Sequence, residues 1–442
     1  MFNNDTITNY QSALEARKIA NNNTRDKSRL ASINVLGLIN GFLNNKKVMP
    51  SLPPDPGTEI YEADKERLKN IFAKDTKEWI KLGKLLRESS IDVYVNINKV
   101  ASRHLAILAT TGSGKSNLLA LLMKRISELN GTLVIFDYHG EYSSLELNNI
   151  IHAMPKINPR DLDSEEFADM IEIRENAERQ RALLNEAFRH AKNEEDFWKA
   201  LLDWIRLAKN DNNKKKIAVR LEEIVERASN SMKNILDADI SRSLDQIQEH
   251  KINIFNMLEL NEKQASIIIS YYLKEILNDR KLSKKRISRF SSPVIVAIEE
   301  AHAFIPEDFR SRASDIVAKV AREGRKFGVG LIIISQRPSK IDQNVLSQMN
   351  SLAVSRIIQP KDQRYIIDVT EHIPDELLEH LPSLNTGEML LTGEWITIPS
   401  LVKIDEVKEK LVGSDIDAVK EWNNNIREME KGEKTEDLIM LE

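Results

Sequence analysis

Residues Ala109 to Ser116 read ATTGSGKS, between a short apolar run, His104 to Leu108, and a helix-periodic stretch beginning NLLALLMKRISEL. A glycine-rich loop between strand and helix presents backbone N–H groups and the positive end of a helix to phosphate oxygens. That spacing sets Lys115 against the β- and γ-phosphates and makes Ser116 the natural Mg²⁺ ligand. Thr111, Gly112, Ser113, Gly114 and Asn117 complete the expected nucleotide cradle. Ala109 stands where the pattern has its first glycine, so the loop entry must adopt a conformation that a Cβ tolerates. The loop predicts a bound nucleoside triphosphate, but it does not separate a GTPase switch from a kinase, a transporter motor or a DNA motor.

A phosphate loop needs an acidic partner for the metal and the attacking water. PVIVAIEEAHAF supplies one, because the apolar strand Val294 to Ile298 runs straight into Glu299 and Glu300. Adjacent carboxylates at a strand's end point in different directions. Glu299 is therefore expected on the metal side, through Mg²⁺ or its waters, and Glu300 as the base that activates water. Further on, an apolar strand ends at Ser335-Gln336-Arg337-Pro338, and Gln336 is the expected sensor of the γ-phosphate. Arg322 and Arg325 precede that strand, so they tend to lie away from their own subunit's nucleotide and can serve a neighbour's. An arginine supplied in trans contributes about 10³ to 10⁵ in rate. The alternative for each is a surface salt bridge. Asp137 to Gly140 (DYHG) fits the DxxG element of switch GTPases, but no NKxD element follows, which disfavours a guanine-nucleotide switch.

These residues need a parallel sheet to bring them together. From Arg103 the chain alternates apolar runs with helical stretches, the signature of a doubly covered α/β sheet. The strand candidates are His104 to Leu108, Thr132 to Phe136, Ile252 to Phe255, Val294 to Ile298, Gly328 to Ile334 and Leu352 to Ile357. Residues 160–248 read as a charged helical insertion on the sheet's edge, since structureless connections of that length are rare. The expected division is a β-rich module at 1–99, a core at 100–159 and 249–408, the insertion at 160–248, and a C-terminal helix and tail at 409–442. Arg29 to Ile39 and Asp92 to Asn98 are the strand candidates of the first module. Glu388 to Glu394 and Trp395 to Ile404 are those near the end, with Pro399 arguing for an edge or an extended strap.

Composition sets broader bounds. The 442 residues exceed one compact domain, 41% are hydrophobic and 30% charged, and no apolar run approaches the roughly 20 needed to cross a bilayer. The polar N-terminus lacks a signal-peptide pattern. Zero cysteines exclude disulfides and thiolate metal sites, and a cytoplasmic location is expected. The net charge of −4 does not announce nucleic-acid binding, so any DNA contact must come from local patches. Arg280 to Arg289 is the densest patch and Lys214 to Lys216 a smaller one, with a solvated loop the favoured reading of both. Lys340, Lys361 and Arg364 are candidate DNA-facing residues, with a solvated surface equally open for each.

The stretches RHLAILATTGSGKSN, VIFDYHGEY, IVAIEEAHAF, AREGRKFGVGLIIISQRPSKIDQNVLSQMNS and TGEWITIP together resemble the HerA family of archaeal hexameric DNA translocases, in the HerA/FtsK superfamily. The resemblance implies a RecA-like ATPase core in a homohexameric ring. It also implies ATP and Mg²⁺ as cofactors, double-stranded DNA as the load, and a NurA-type nuclease as partner in DNA-end resection. It makes Glu300 the catalytic glutamate, Arg103 a cis arginine at the nucleotide, Arg325 the trans finger, and Lys403 and Ile404 a strap reaching a nucleotide. Family members begin with a complete β-barrel, of which only the latter half is recognisable here, so the chain reads as N-terminally shortened. Secretion and conjugation ATPases of the same superfamily are the alternative class, and a non-motor nucleotide switch is a third.

Overall fold

Runs dominated by Val, Ile and Leu are buried on both faces of a strand, which is how a parallel sheet reads in sequence. In the computed structural model, which describes residues 35–407 apart from 45, 56, 75, 144, 286 and 370–374, these runs build one large sheet. Its strands are β1 (Trp79–Leu85), β2 (Asp92–Asn96), β3 (Leu105–Leu108), β4 (Thr132–Asp137), β5 (Ile150–Ala153), β6 (Ile252–Asn256), β7 (Val294–Ile298), β8 (Val329–Ser335), β9 (Ser351–Val354), β10 (Glu388–Gly393) and β11 (Ser400–Ile404). They lie in the order β2-β1-β11-β10-β9-β3-β8-β7-β4-β6-β5. From β9 to β5 the strands run parallel, while β10, β11, β1 and β2 extend the sheet antiparallel.

The helices that matter for the site are α1 (Ile97–Arg103), α2 (Lys115–Glu128), α3 (Ser164–Met170), α4 (Glu178–Ala191), α5 (Phe197–Leu207), α6 (Lys215–Ser231), α7 (Glu262–Leu282), α8 (Ala301–Phe304), α9 (Arg312–Glu323) and α10 (Pro360–Val369). Alternation along the strands divides their side chains between two faces. Ala106, Leu108, Val134, Phe136, Val296 and Ile298 join a core shared with α7, α9 and the insertion helices α3 to α6. Their sequence neighbours Leu105, Ile107, Leu133 and Ile135 point to the other face, where α2 packs on β1, β4 and β6. Residues 160–248 carry the packed helices α3 to α6. Phe167, Phe188 and Phe197 meet at their centre with ring centroids 5.1 to 5.7 Å apart. An Asp163–Glu166 capping box starts the first of them.

The structure departs from the expected β-rich module. The chain divides into a unit at 1–62 and one at 63–442. Among the described residues of the first unit there is no strand, and residues 35–39 of the expected Arg29 to Ile39 strand lead into a short helix, Ile39–Leu43. The rest of that candidate strand lies outside the described residues, as does the expected 409–442 helix. The alternating Asp92 to Asn96 segment is a strand, but it pairs with β1, and β1 pairs with β11. This hairpin therefore extends the core sheet instead of closing a barrel. Pro399 is likewise not in an edge strand. It sits just before β11, which has partners on both sides, so its missing N–H falls outside the ladder.

Candidate active site

Four adjacent strands, β3, β8, β7 and β4, deliver their C-terminal ends to one place. The loop after β3 is stable with an alanine at its entry because Ala109 still continues the ladder, donating its N–H to the Ser335 carbonyl at 3.0 Å. The turn that needs glycine comes later. Gly112 and Gly114 hold φ of 72° and 106°, and a Cβ on Gly114 would stand 3.1 Å from the Gly387 backbone. Lys115 opens α2 and points into a nest of carboxylates. Its Nζ lies 2.9 Å from Glu300, 3.4 Å from Glu299 and 3.7 Å from Glu141.

The electrostatics follow from that crowding. Burial pulls the Lys115 ammonium down most strongly, but Glu299, Glu300 and Glu141 together outweigh it and hold it above the ordinary lysine range. Glu299 is fully buried at the end of β7, and burial, with Glu141 and Asp137 nearby, pushes its carboxyl up to about 8 against the pull of Lys115. Tyr142 donates to its Oε1 at 3.1 Å, while its Oε2 is buried without a partner. Glu300 moves the other way: burial would raise it, but Lys115 and a hydrogen bond from Gln336 hold it below the usual carboxylate range. The two adjacent glutamates are thus shifted in opposite directions although both face Lys115.

Glu300 sits in the left-handed region at φ 46°, ψ 43°, where a residue with a side chain is strained by about 1 kcal/mol or more. Gln336, one residue past β8, donates Nε2 to Glu300 Oε1 at 2.7 Å and accepts from the Thr111 hydroxyl. A continuous polar chain therefore runs Lys115, Glu300, Gln336, Thr111, joining the lysine to the loop's own hydroxyl through the two neighbouring strands. Ser116 donates to Glu141. Asp137 at the end of β4 accepts from the backbone N–H of Glu141 and Tyr142, each at 3.0 Å, which fixes the turn that carries Glu141.

The remaining candidates separate into groups. Lys403 and Ile404 reach the loop indirectly: Lys403 Nζ donates to the Thr386 carbonyl at 2.6 Å, and Ile404 N–H to Gly387 at 2.9 Å. Thr386 and Gly387 in turn donate to Gly112 and Ser113. Asn117 ties the Asp405 carbonyl and the Val407 N–H to α2. Arg103 is not brought to the loop as the cis position requires. It ends α1 ahead of β3, so about 13 Å of strand separate it from the phosphate end, and it lies 3.5 Å from Glu394. Arg322 and Arg325 share that far edge, where α1 packs against the Gly324–Lys326 turn. Neither forms an ion pair among the described residues. Lys340 pairs with Asp308 at 2.7 Å, and Lys361 lies close enough to lower the same carboxyl, with Arg364 one turn further along α10.

Sequence reasoning missed Glu141 and Tyr142 as parts of the site. Their signal was an acidic residue closing a buried strand, Asp137, with a second acid four residues on. It misread Arg280, one end of the basic patch, which is not solvated but buried, donating to the Phe327 and Phe290 carbonyls.

A phosphate loop, an acidic strand end and a polar sensor on the strand between them define a RecA-like P-loop NTPase. The chain matches the family model "Helicase HerA, central domain" over residues 80–276. It is 38% identical to the DNA double-strand break repair helicase HerA of Saccharolobus solfataricus across 88% of this chain and 80% of that one. It is 31% identical to the helicase of the same name from Pyrococcus furiosus across 96% and 87%. The chain belongs to the HerA helicase family. Among solved structures, VirB4 of Thermoanaerobacter pseudethanolicus superposes with a TM-score of 0.53 at 18% identity, covering 76% of this chain and 98% of that one. The plasmid coupling protein TrwB bound to an ATP analogue gives 0.52 at 15%, covering 80% and 98%. At those identities the likeness concerns the fold.

Proposed function

We propose that this chain hydrolyses ATP to move double-stranded DNA through a ring of its own subunits, as a helicase of DNA-break repair. The observation that carries the reading is the Lys115–Glu300–Gln336–Thr111 chain, which links base, sensor and phosphate loop across three neighbouring strands. HerA relatives named for break repair supply the load. A homohexamer working with a NurA-type nuclease is the assembly that the family resemblance favours. No helix among the described residues is long and apolar enough to cross a membrane, and a cytoplasmic place is proposed with the rest.

In this reading Glu300 accepts the proton of the attacking water. Lys115 leaves its carboxylates for the β- and γ-phosphates, which frees Glu300 to act. Gln336 orients the water or the γ-phosphate, and its contact with Thr111 reports whether the loop is filled. The oxygens of Ser116, Glu141 and Glu299 suit a hard cation, and the unpartnered Glu299 Oε2 is one acceptor left for it or its waters. Among the described residues no group of three or more acids and histidines forms a cage by itself, which fits an Mg²⁺ that takes its other oxygens from phosphate and water. Mg²⁺ would neutralise the phosphates and polarise the bond that breaks.

The test compares ATP turnover with and without duplex DNA in the wild type and Glu300→Gln. DNA should stimulate the wild type, and the variant should bind ATP while losing about 100-fold or more in kcat. Turnover indifferent to DNA, with hydrolysis intact in Glu300→Gln, would overturn the proposal.

A further inference from the structure

His104 is the residue between α1, which ends in Arg103, and β3, which leads to the phosphate loop. Its backbone lies at φ 64°, ψ 161°, a region that residues with a side chain almost never occupy. Its ring is buried, 2% exposed, and takes no part in the polar chain around Lys115. Strain of this kind persists only when the surroundings over-determine it, and here two hydrogen bonds do so. The Leu331 N–H donates to Nδ1 at 3.0 Å, and Nε2 stands 3.0 Å from the Ala321 carbonyl.

The first bond fixes the second. A neutral imidazole that accepts at Nδ1 carries its proton on Nε2, so Nε2 donates to Ala321. Burial, with Arg103 adjacent, pushes the His104 pKa down to about 4, although the Ala321 bond opposes it. The neutral tautomer therefore holds throughout the working range. The two partners are informative by position. Ala321 directly precedes Arg322 and lies in the last turn before the Gly324–Lys326 turn that carries Arg325. Leu331 is in β8, the strand that ends beside Gln336. One ring thus ties three segments together: Arg103 by the backbone, the Arg322–Arg325 segment through α9, and the sensor strand. From the far side, Arg280 clamps the same turn by donating to the Phe327 carbonyl at 2.9 Å.

We propose that His104 is a positioning residue for the arginine edge that each subunit offers to its neighbour's nucleotide, holding Arg103 and Arg325 in fixed relation. This rests on the proposed function and on the family resemblance's assignment of Arg325 as a finger acting in trans. A residue supporting only its own phosphate loop would behave differently in mixed rings. The test uses His104→Gly, which relieves the backbone but loses both bonds, His104→Asn, whose oxygen can replace Nδ1, and His104→Gln, whose amide can replace Nε2. Each is measured for ATP affinity, kcat and thermal unfolding, then mixed with Lys115→Ala subunits, which have an intact arginine edge and a dead site. Arg325→Ala mixed with Lys115→Ala is the control.

We expect kcat to fall by about 10- to 100-fold in His104→Gly, with Asn and Gln between it and wild type, as for groups displaced by an ångström or so. ATP affinity should stay within about twofold, because the loss is confined to the transition state. Mixing should restore turnover for the His104 variants as it does for Arg325→Ala. If Arg325→Ala is rescued but the His104 variants are not, or if their ATP affinity falls in step with kcat, His104 serves its own loop and the proposal is wrong. If neither is rescued, the trans reading itself falls and takes this one with it. Should the glycine variant unfold, the Asn and Gln variants decide.

Discussion

Lys115 carries a burden that its phosphate-binding role does not suggest. It is the counter-ion for Glu300, Glu299 and Glu141, two of which are nearly or fully buried. Taking away one member of a buried charge cluster leaves the others uncompensated, which typically costs about 3 to 5 kcal/mol. Lys115→Ala should therefore lower the urea midpoint of the nucleotide-free protein markedly, and adding Glu299→Gln should recover part of the loss. An unchanged midpoint in Lys115→Ala would mean that water, not lysine, neutralises the cluster. Glu141 makes a second prediction at this scale. Because it holds the Ser116 hydroxyl, Glu141→Gln should weaken Mg²⁺ in the nucleotide complex by about 10-fold, as loss of such an outer partner does, measured by titrating Mg²⁺ against a bound fluorescent nucleotide. Equal Mg²⁺ affinity in the variant would remove Glu141 from the metal's surroundings.

At the scale of elements, the joint between the helical insertion and the core is the informative one. Asp169 near the end of α3 takes Arg181 of α4 at 2.5 Å and Arg312, the first residue of α9, at 2.9 Å. Burial would raise its carboxyl, but the two guanidiniums outweigh it and hold it below the ordinary Asp range. A carboxyl lowered on folding adds stability above its unfolded pKa and loses it as pH falls through the folded value. Asp169→Asn should thus cost about 1 to 3 kcal/mol at neutral pH and loosen residues 160–248, read as faster hydrogen exchange there. The gap to wild type should close in acid, and a gap that persisted would tie the loss to packing instead. Such joints were not legible in the sequence, though the elements were. Apolar runs marked six of the parallel strands to within a few residues, because a strand buried on both faces has no other composition. The strand β5 escaped, being four residues long and only half-buried at the sheet's edge. The strand β2 was visible as alternation, but β1 was not, and the partner of β1, β11, lies some three hundred residues away, so no local pattern encodes that pairing. The loop, Glu300 and Gln336 were readable because their chemistry forces both type and position. Arg280 was misread because a run of basic residues does not say which member turns inward.

For the whole molecule, the site proposed here has two ends. The phosphate loop, Glu300 and Gln336 gather at the C-terminal ends of β3, β7 and β8, while Arg103 and Arg325 lie at the N-terminal ends of β3 and β8. If the arginines serve a nucleotide as proposed, a subunit built in this way cannot use both ends on its own nucleotide, because the strands hold them apart. The arrangement is satisfied when the arginine edge of one copy meets the loop of the next, a head-to-tail contact that closes only as a ring or continues as a filament. Hydrolysis should then be a property of the assembly. Turnover per subunit should fall steeply on dilution through the concentration at which the assembly dissociates, tracked in parallel by light scattering, while ATP binding persists in the separated chains. Arg325→Ala should abolish the concentration dependence by lowering turnover about 10³-fold or more at all concentrations, since nothing is then gained on assembly. Turnover per subunit that stayed constant through dissociation would mean that one chain completes its own site, and the far-edge arginines would then have no part in the chemistry.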